Sequence, residues 1–206
     1  MHSVLIVEDQ VIIRKTFENM IEESDDFCLS NAIENAALAE MYCAKGVNLV
    51  LMDVYTAHRE NGLEAAAKIK KNYPNIKVII VTSMPEESFI RKAKEAGCDS
   101  FWYKDSEEEE LLDVMKRTMA GERVYPAQTP DMTIGLADSS EFTERELEVL
   151  RELVNGYSRA EICERLGIKI PTLNYHIGNL LSKSGYSNIV KLEVDVVDKK
   201  FIIPGF

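Results

Sequence analysis

Three stretches, VLIV (4–7), VNLVLM (47–52) and KVIIVT (77–82), are continuous apolar runs rich in β-branched residues. Runs without polar alternation belong to strands covered on both faces. That demand narrows the fold more than any other feature, because a parallel sheet flanked by helices is what buries strands so completely. FCLSNA (27–32) and SFWYK (100–104) supply two weaker strands. Helix-spaced patterns fall at 11–23, 35–45, 63–72, 86–96 and 107–120. The alternation predicts a doubly wound, five-stranded parallel α/β sheet over residues 1–120. Its crossovers should be right-handed, and its site should lie at the carboxyl ends of the strands.

The 206 residues suit two domains rather than one. GERVYPAQTPDMTIGLADSSE (121–141) has no period and gathers Pro, Gly, Ser and Asp, so it reads as a linker. Beyond it, 142–206 reads as an all-α domain. In FTERELEVLRELVNG, Thr143 can cap a helix with Glu146 at the capping-box position, and Gly156 stops it. SRAEICERLG (158–167) repeats the pattern with Ser158, Glu161 and Gly167. PTLNYHIGNLLSKSG (171–185) follows with a first-turn proline, and SNIVKLEVDVVDKK (187–200) is a fourth candidate helix. Short links between such helices make a helix-turn-helix plausible.

Charge separates the two halves. Residues 1–120 hold 14 Lys+Arg against 22 Asp+Glu, whereas 142–206 hold nine of each. The stretch 167–192 contains no acid and three lysines, a hint that this segment meets an anion. Cys28, Cys43, Cys98 and Cys163 form no CxxC pair, which argues against a zinc site or a disulfide framework and for a reducing cytoplasm. No apolar stretch reaches the length of a membrane span, and MHSVLIVEDQ does not read as a secretory signal.

The sheet reading brings Glu8 and Asp9, after the first strand, to the same edge as Asp53 at the end of the third. Three converging carboxylates repel unless a cation neutralises them, and an oxygen-only set suits Mg²⁺. Thr82 closes KVIIVT and Lys104 closes SFWYK. A hydroxyl, an ammonium and a magnesium around a carboxylate would stabilise a transferring phosphoryl group, with Asp53 as nucleophile. Singly, an acid or lysine after a strand is most often a turn or solvated residue; in order at four strand ends, the set is hard to explain as coincidence.

VLIVEDQ, LVLMDV, VIIVTS and AGCDSFWYKD together resemble the receiver domain of two-component response regulators, a flavodoxin-like fold. The resemblance implies that Asp53 accepts phosphate from a sensor histidine kinase, that Glu8, Asp9 and Asp53 hold Mg²⁺, and that Lys104 contacts the phosphate. It further implies a switch in which Thr82 moves toward the phosphate and Phe101 follows, although Phe101 also suits plain core packing. The loop after Asp53 departs from the family. It reaches Gly62 nine residues on, one later than usual and without Met-Pro, and it places Tyr55, His58 and Arg59 near the site. His58 reads as a proton relay, a ligand or a solvated loop residue.

FTERELEVLRELVNGYSRAEICERLGIKIPTLNYHIGNLLSKSG resembles the DNA-binding domain of the NarL/FixJ (LuxR-type) regulators. The resemblance implies that the 171–185 helix enters the major groove of promoter DNA. Lys169, Thr172, Asn174, Tyr175, Asn179 and Lys183 are then the candidate contacts. His176 reads either as a contact or as an anchor to neighbouring helices. Asn174 stands where the family usually has a basic residue, Lys169 where it has a capping Ser, and Ile189 where it often has Arg. Asparagine could bond adenine in two places. Gly178 should allow close approach of a backbone, and Pro171 should delay the helix start.

The reading is a cytoplasmic, homodimerising, phosphorylation-dependent transcription regulator, not an enzyme. Val190, Leu192, Val194 and Val197 of the fourth helix could add a dimer contact or close the domain core. An aspartyl-nucleophile phosphohydrolase would want a second aspartate where Tyr55 stands. A flavin-binding sheet would want a hydroxyl and glycine-rich cradle after VLIV. A receiver acting through protein partners, with weak or no DNA binding, is the nearer alternative.

Overall fold

A computed structural model describes residues 1–86, 88–104, 108–127 and 129–205, without the side chains of Arg59 and residues 108–110. The start of the 107–120 helix and the Arg59 side chain, both named above, thus lie outside what is described. The chain divides into two compact units, Met1–Ser83 with Ser88–Gln128, and Met84–Glu87 with Thr129–Phe206.

The first unit runs β1 (His2–Val7), α1 (Val11–Glu22), β2 (Phe27–Ile33), a 3₁₀ turn (Ala36–Leu38), α2 (Ala39–Cys43) and β3 (Leu49–Asp53). It continues with β4 (Tyr55–Thr56), β5 (Glu60–Asn61), α3 (Gly62–Asn72), β6 (Lys77–Thr82), α4 (Phe89–Glu95), β7 (Ser100–Tyr103) and α5 (Glu108–Met119). The sheet order is β2-β1-β3-β6-β7, all parallel. Central strands β1, β3 and β6 are the three runs read from the sequence, and Val4–Val7, Leu49–Met52 and Val78–Val81 are buried. Edge strand β2 buries only Phe27, which explains its mixed, weaker pattern. The 35–45 helix is shorter than expected, split between a 3₁₀ turn and α2.

After α5 the chain returns to the β7 edge. Phe101 N–H donates to Val124 O (2.8 Å), Val124 N–H donates to Ser100 Oγ (3.0 Å), and Tyr125 Oη donates to Cys98 O (2.8 Å). These contacts satisfy backbone groups that an open edge would leave bare.

The second unit holds β8 (Thr133–Ile134), β9 (Ala137–Asp138), a 3₁₀ turn (Ser139–Glu141), α6 (Glu144–Val154), α7 (Arg159–Leu166), α8 (Ile170–Ser184) and α9 (Ile189–Asp198). Thr143 and Ser158 cap α6 and α7 in full capping boxes with Glu146 and Glu161. Leu147, Leu150, Ile162, Leu173, Ile177, Leu180, Leu192 and Val196 form the core.

Two expectations are corrected here. The 121–141 linker is not unstructured throughout: β8 and β9 form a hairpin whose Ile134 and Ala137 belong to the helical core. Two-residue strands have no room to show a period, so the composition alone suggested a loop. Pro171 does not delay its helix, which begins at Ile170 with Lys169 in the cap position. First-turn N–H groups lack intrahelical acceptors, so proline costs little there.

Candidate functional site

The parallel sheet delivers Glu8, Asp9 and Asp53 to one edge, since β1 and β3 are adjacent and in register. One oxygen from each carboxylate lies within 4.8 Å of the others. Glu8 is fully buried and Asp53 is 3% exposed. Lys104, the residue after β7, places its ammonium 2.7 Å from Asp53 Oδ2 and 2.5 Å from Glu8 Oε2. The contact to Glu8 is ionic rather than an aligned hydrogen bond, and Oε2 has no hydrogen-bond partner among the described residues.

Burial pushes Asp53 up to about 7, with the nearby Glu8 charge adding to the rise and Lys104 opposing it. Three carboxylates face one described ammonium at this edge. An oxygen-only donor set of three converging carboxylates fits a hard divalent cation held by Glu8, Asp9 and Asp53.

Thr82 ends β6, fully buried, and its carbonyl accepts from Lys104 N–H (2.9 Å). Phe101 is buried on β7, its ring edge-on to Tyr103 at 5.0 Å. The structure brings Glu8, Asp9, Asp53 and Lys104 together, and carries Thr82 and Phe101 on the two neighbouring strands β6 and β7.

The departing loop is a small hairpin, β4 against β5. Thr56 Oγ1 accepts from Ala36 N–H (3.0 Å) and donates to Glu60 O (3.1 Å), while Ala57 N–H donates to Glu34 O (2.9 Å). Asn61 Oδ1 caps α3 through Leu63 and Glu64 N–H. Tyr55 is half-buried, its N–H 3.5 Å from Asp53 Oδ1. His58 is exposed at the turn with φ +62°. Thr56 and Asn61 carry no chemistry, and sequence reading passed over them for that reason.

In the second unit, α8 exposes Lys169, Thr172, Asn174 and Tyr175 along its first turns, Tyr175 to 65%. Asn179 is half-buried, and His176 has a buried Nδ1 with no hydrogen-bond partner among the described residues. Lys183, named above among the candidate DNA contacts, makes bonds within its own unit. Its ammonium is bound 2.7 Å from Glu146 Oε2 and 2.8 Å from Glu141 O, tying α8 to the start of α6. Asn174 Oδ1 accepts from Arg159 Nη1 at 3.0 Å, a partner that sequence reading missed because spacing along the chain does not reveal a bond between two helices. Among the described residues, nothing beyond its own stretch of helix lies within 4 Å of where a Cβ on Gly178 would sit. On α9, Leu192 closes the core while Val190 and Val194 are exposed.

Known proteins show the same two parts in the same order. The response regulator receiver domain profile matches residues 4–116, and that of the bacterial regulatory proteins of the luxR family matches 140–194. Response regulator protein VraR of Staphylococcus aureus is 32% identical over 187 residues, covering 87% of this chain and 88% of that one. A DNA-binding response regulator of the LuxR family from Staphylococcus aureus is 29% identical with a TM-score of 0.55, covering 58% of this chain and 99% of that chain. A structure of two RcsB dimers bound to two parallel DNAs shares the fold at TM-score 0.65 and 17% identity, over 95% and 97% of the chains. Among the described residues no helix is long and apolar enough to cross a membrane. With receiver and luxR-type profiles matched in that order, and likeness to VraR running through most of both chains, this protein belongs to the LuxR family of two-component response regulators, which are transcriptional regulators.

Proposed function

We propose that Asp53 accepts a phosphoryl group from a sensor histidine kinase, and that this modification controls dimerisation and promoter binding through α8. The observation that carries the reading is the convergence of three carboxylates with Lys104 at the strand ends. An Asp53 carboxylate oxygen attacks the phosphorus of the phosphohistidine; the O–P bond forms as the N–P bond breaks, leaving an acyl phosphate on Asp53. Glu8, Asp9 and Asp53 would hold Mg²⁺, which supplies charge neutralisation for the incoming phosphoryl oxygens. Lys104 leaves its ionic contact with Asp53 and turns to a phosphate oxygen. Thr82, on the adjacent strand, offers its hydroxyl to another, and Phe101 follows its movement as a two-state element.

Lys169, Thr172, Asn174, Tyr175 and Asn179 are the DNA-facing groups proposed for α8, with His176 anchoring the helix from its half-buried position. A symmetric dimer would read two half-sites about one DNA turn apart. RcsB, which shares the fold, is described as dimers on DNA. Four free cysteines support a reducing, cytoplasmic setting.

A phosphate-affinity gel after acetyl phosphate treatment tests the acceptor. Wild type should shift with Mg²⁺ and not with EDTA, and Asp53→Ala should not shift. Equal labelling of both proteins would remove Asp53 from the role. The engagement of Lys183 favours a second reading, in which this protein binds DNA weakly and acts chiefly through protein partners. Absence of duplex binding by the phosphorylated chain at low salt would select it.

A further inference from the structure

We propose that Arg159 and Asn174 form one reading unit, in which the guanidinium fixes the amide of Asn174 so that the pair selects guanine rather than adenine. The inference rests on the reading of α8 as the DNA-facing helix. Arg159 is the first residue of α7, immediately after its cap Ser158, and Asn174 lies in the second turn of α8. Arg159 Nη1 donates to Asn174 Oδ1 at 3.0 Å, and both residues are exposed. Glu161 on the same helix turns its carboxylate onto Ser158 N–H and Oγ (2.8 and 2.6 Å).

The orientation of the amide follows from chemistry. A guanidinium carries donors and no acceptor, so the amide atom that faces it must be the oxygen. A free asparagine reads adenine by accepting from N6 with its oxygen while donating to N7 with its nitrogen. Here that oxygen is engaged. Its second lone pair lies beside a cation, which repels the amino group of an adenine edge. The remaining hydrogen-bonding groups of the exposed pair are the Nδ2 protons of Asn174 and the other N–H groups of Arg159, all donors. The base edge with two adjacent acceptors is guanine, through O6 and N7.

Arg159 is therefore a positioning residue for specificity, and its effect is read in base preference rather than in affinity alone. The experiment selects bound sequences from a randomised duplex pool with the full-length, acetyl phosphate-treated chain, followed by titration of matched duplexes. Wild type should enrich guanine at one position of each half-site. Asn174→Ala should lose that preference and retain the others. Arg159→Ala, by freeing the oxygen, should move the preference at that position to adenine, with a change of about tenfold in the guanine-to-adenine ratio. Both substitutions are at exposed positions, and melting curves matching wild type would establish that the variants fold. Adenine in the wild-type site would overturn the proposal. So would a loss of affinity in Arg159→Ala that is uniform across bases, because that marks a phosphate contact. Failure to retain any duplex at low salt would instead sink the DNA-binding reading beneath it.

Discussion

Gly62 stands against the backbone of Asp53: a Cβ at position 62 would lie 1.8 Å from the Asp53 carbonyl oxygen and 3.1 Å from Met52 Cγ. The glycine is required by space, since the β3 terminus and the start of α3 touch there. Gly62 N–H donates to Val54 O (2.9 Å), so the longer loop returns to the point where it left the sheet. Gly62→Ala must push α3 away from the strand that holds Asp53. A loss of about 1–3 kcal/mol is expected, the usual cost of overpacking, together with weaker phosphate labelling. Thermal melting and the affinity gel check both, and an unchanged midpoint would show that the contact yields freely.

Lys104 is the one described cation lying between Glu8 and Asp53. Lys104→Met keeps most of the stem volume and leaves two buried carboxylates without their counter-charge. A loss of about 3 kcal/mol is expected in EDTA, as for removal of one partner from a buried pair. Mg²⁺ should recover part of it if Glu8, Asp9 and Asp53 hold the cation. Urea unfolding with and without Mg²⁺ measures this, and an identical midpoint in both would exclude the cation from the site.

The strand runs and capping boxes were legible because each depends on residues close in sequence. Asp53, Glu8 and Lys104 were legible too, since a parallel sheet collects strand ends wherever the connecting chain travels. Other features required the fold itself. The β8–β9 hairpin is pinned by Ile134 in a core that its own sequence does not reveal. The bond from Lys183 to Glu146, 37 residues earlier, was not legible because nothing in its helix shows which acid waits beside it. The same blindness hid Arg159 from Asn174.

Asp99 gives the first unit a built-in acid sensitivity. Lys70 Nζ (2.8 Å), Lys77 Nζ (2.9 Å) and Val78 N–H (3.0 Å) all donate to its carboxylate. Burial alone would raise its pKa, but these three contacts outweigh burial and hold it below the usual value of 3.8. A depressed folded pKa stabilises the protein fully above the unfolded value, and the stabilisation is lost as pH falls through the folded one. Asp99→Asn is expected to cost about 2 kcal/mol at pH 7, with the gap to wild type closing below about pH 4. Denaturant midpoints at pH 7, 5 and 3.5 check the sign; a gap that widens toward acid would contradict it.

Lys183 can be assigned by separating stability from salt dependence. Burial would raise the Glu146 pKa, yet the bonds from Lys183 and Thr143 hold it below the usual carboxylate range, so the pair works as a clasp between α8 and α6. Lys183→Met should lower stability by about 1–3 kcal/mol, because a nearly buried acceptor is left without its donor. If the residue instead met a DNA phosphate, its loss would reduce the slope of log affinity against log salt by about 0.9. Titrations across a salt series, run well below the melting temperature of the variant, distinguish the two roles. The clasp requires a lowered melting temperature and an unchanged salt slope; an unchanged melting temperature with a reduced slope would return Lys183 to the DNA-facing set.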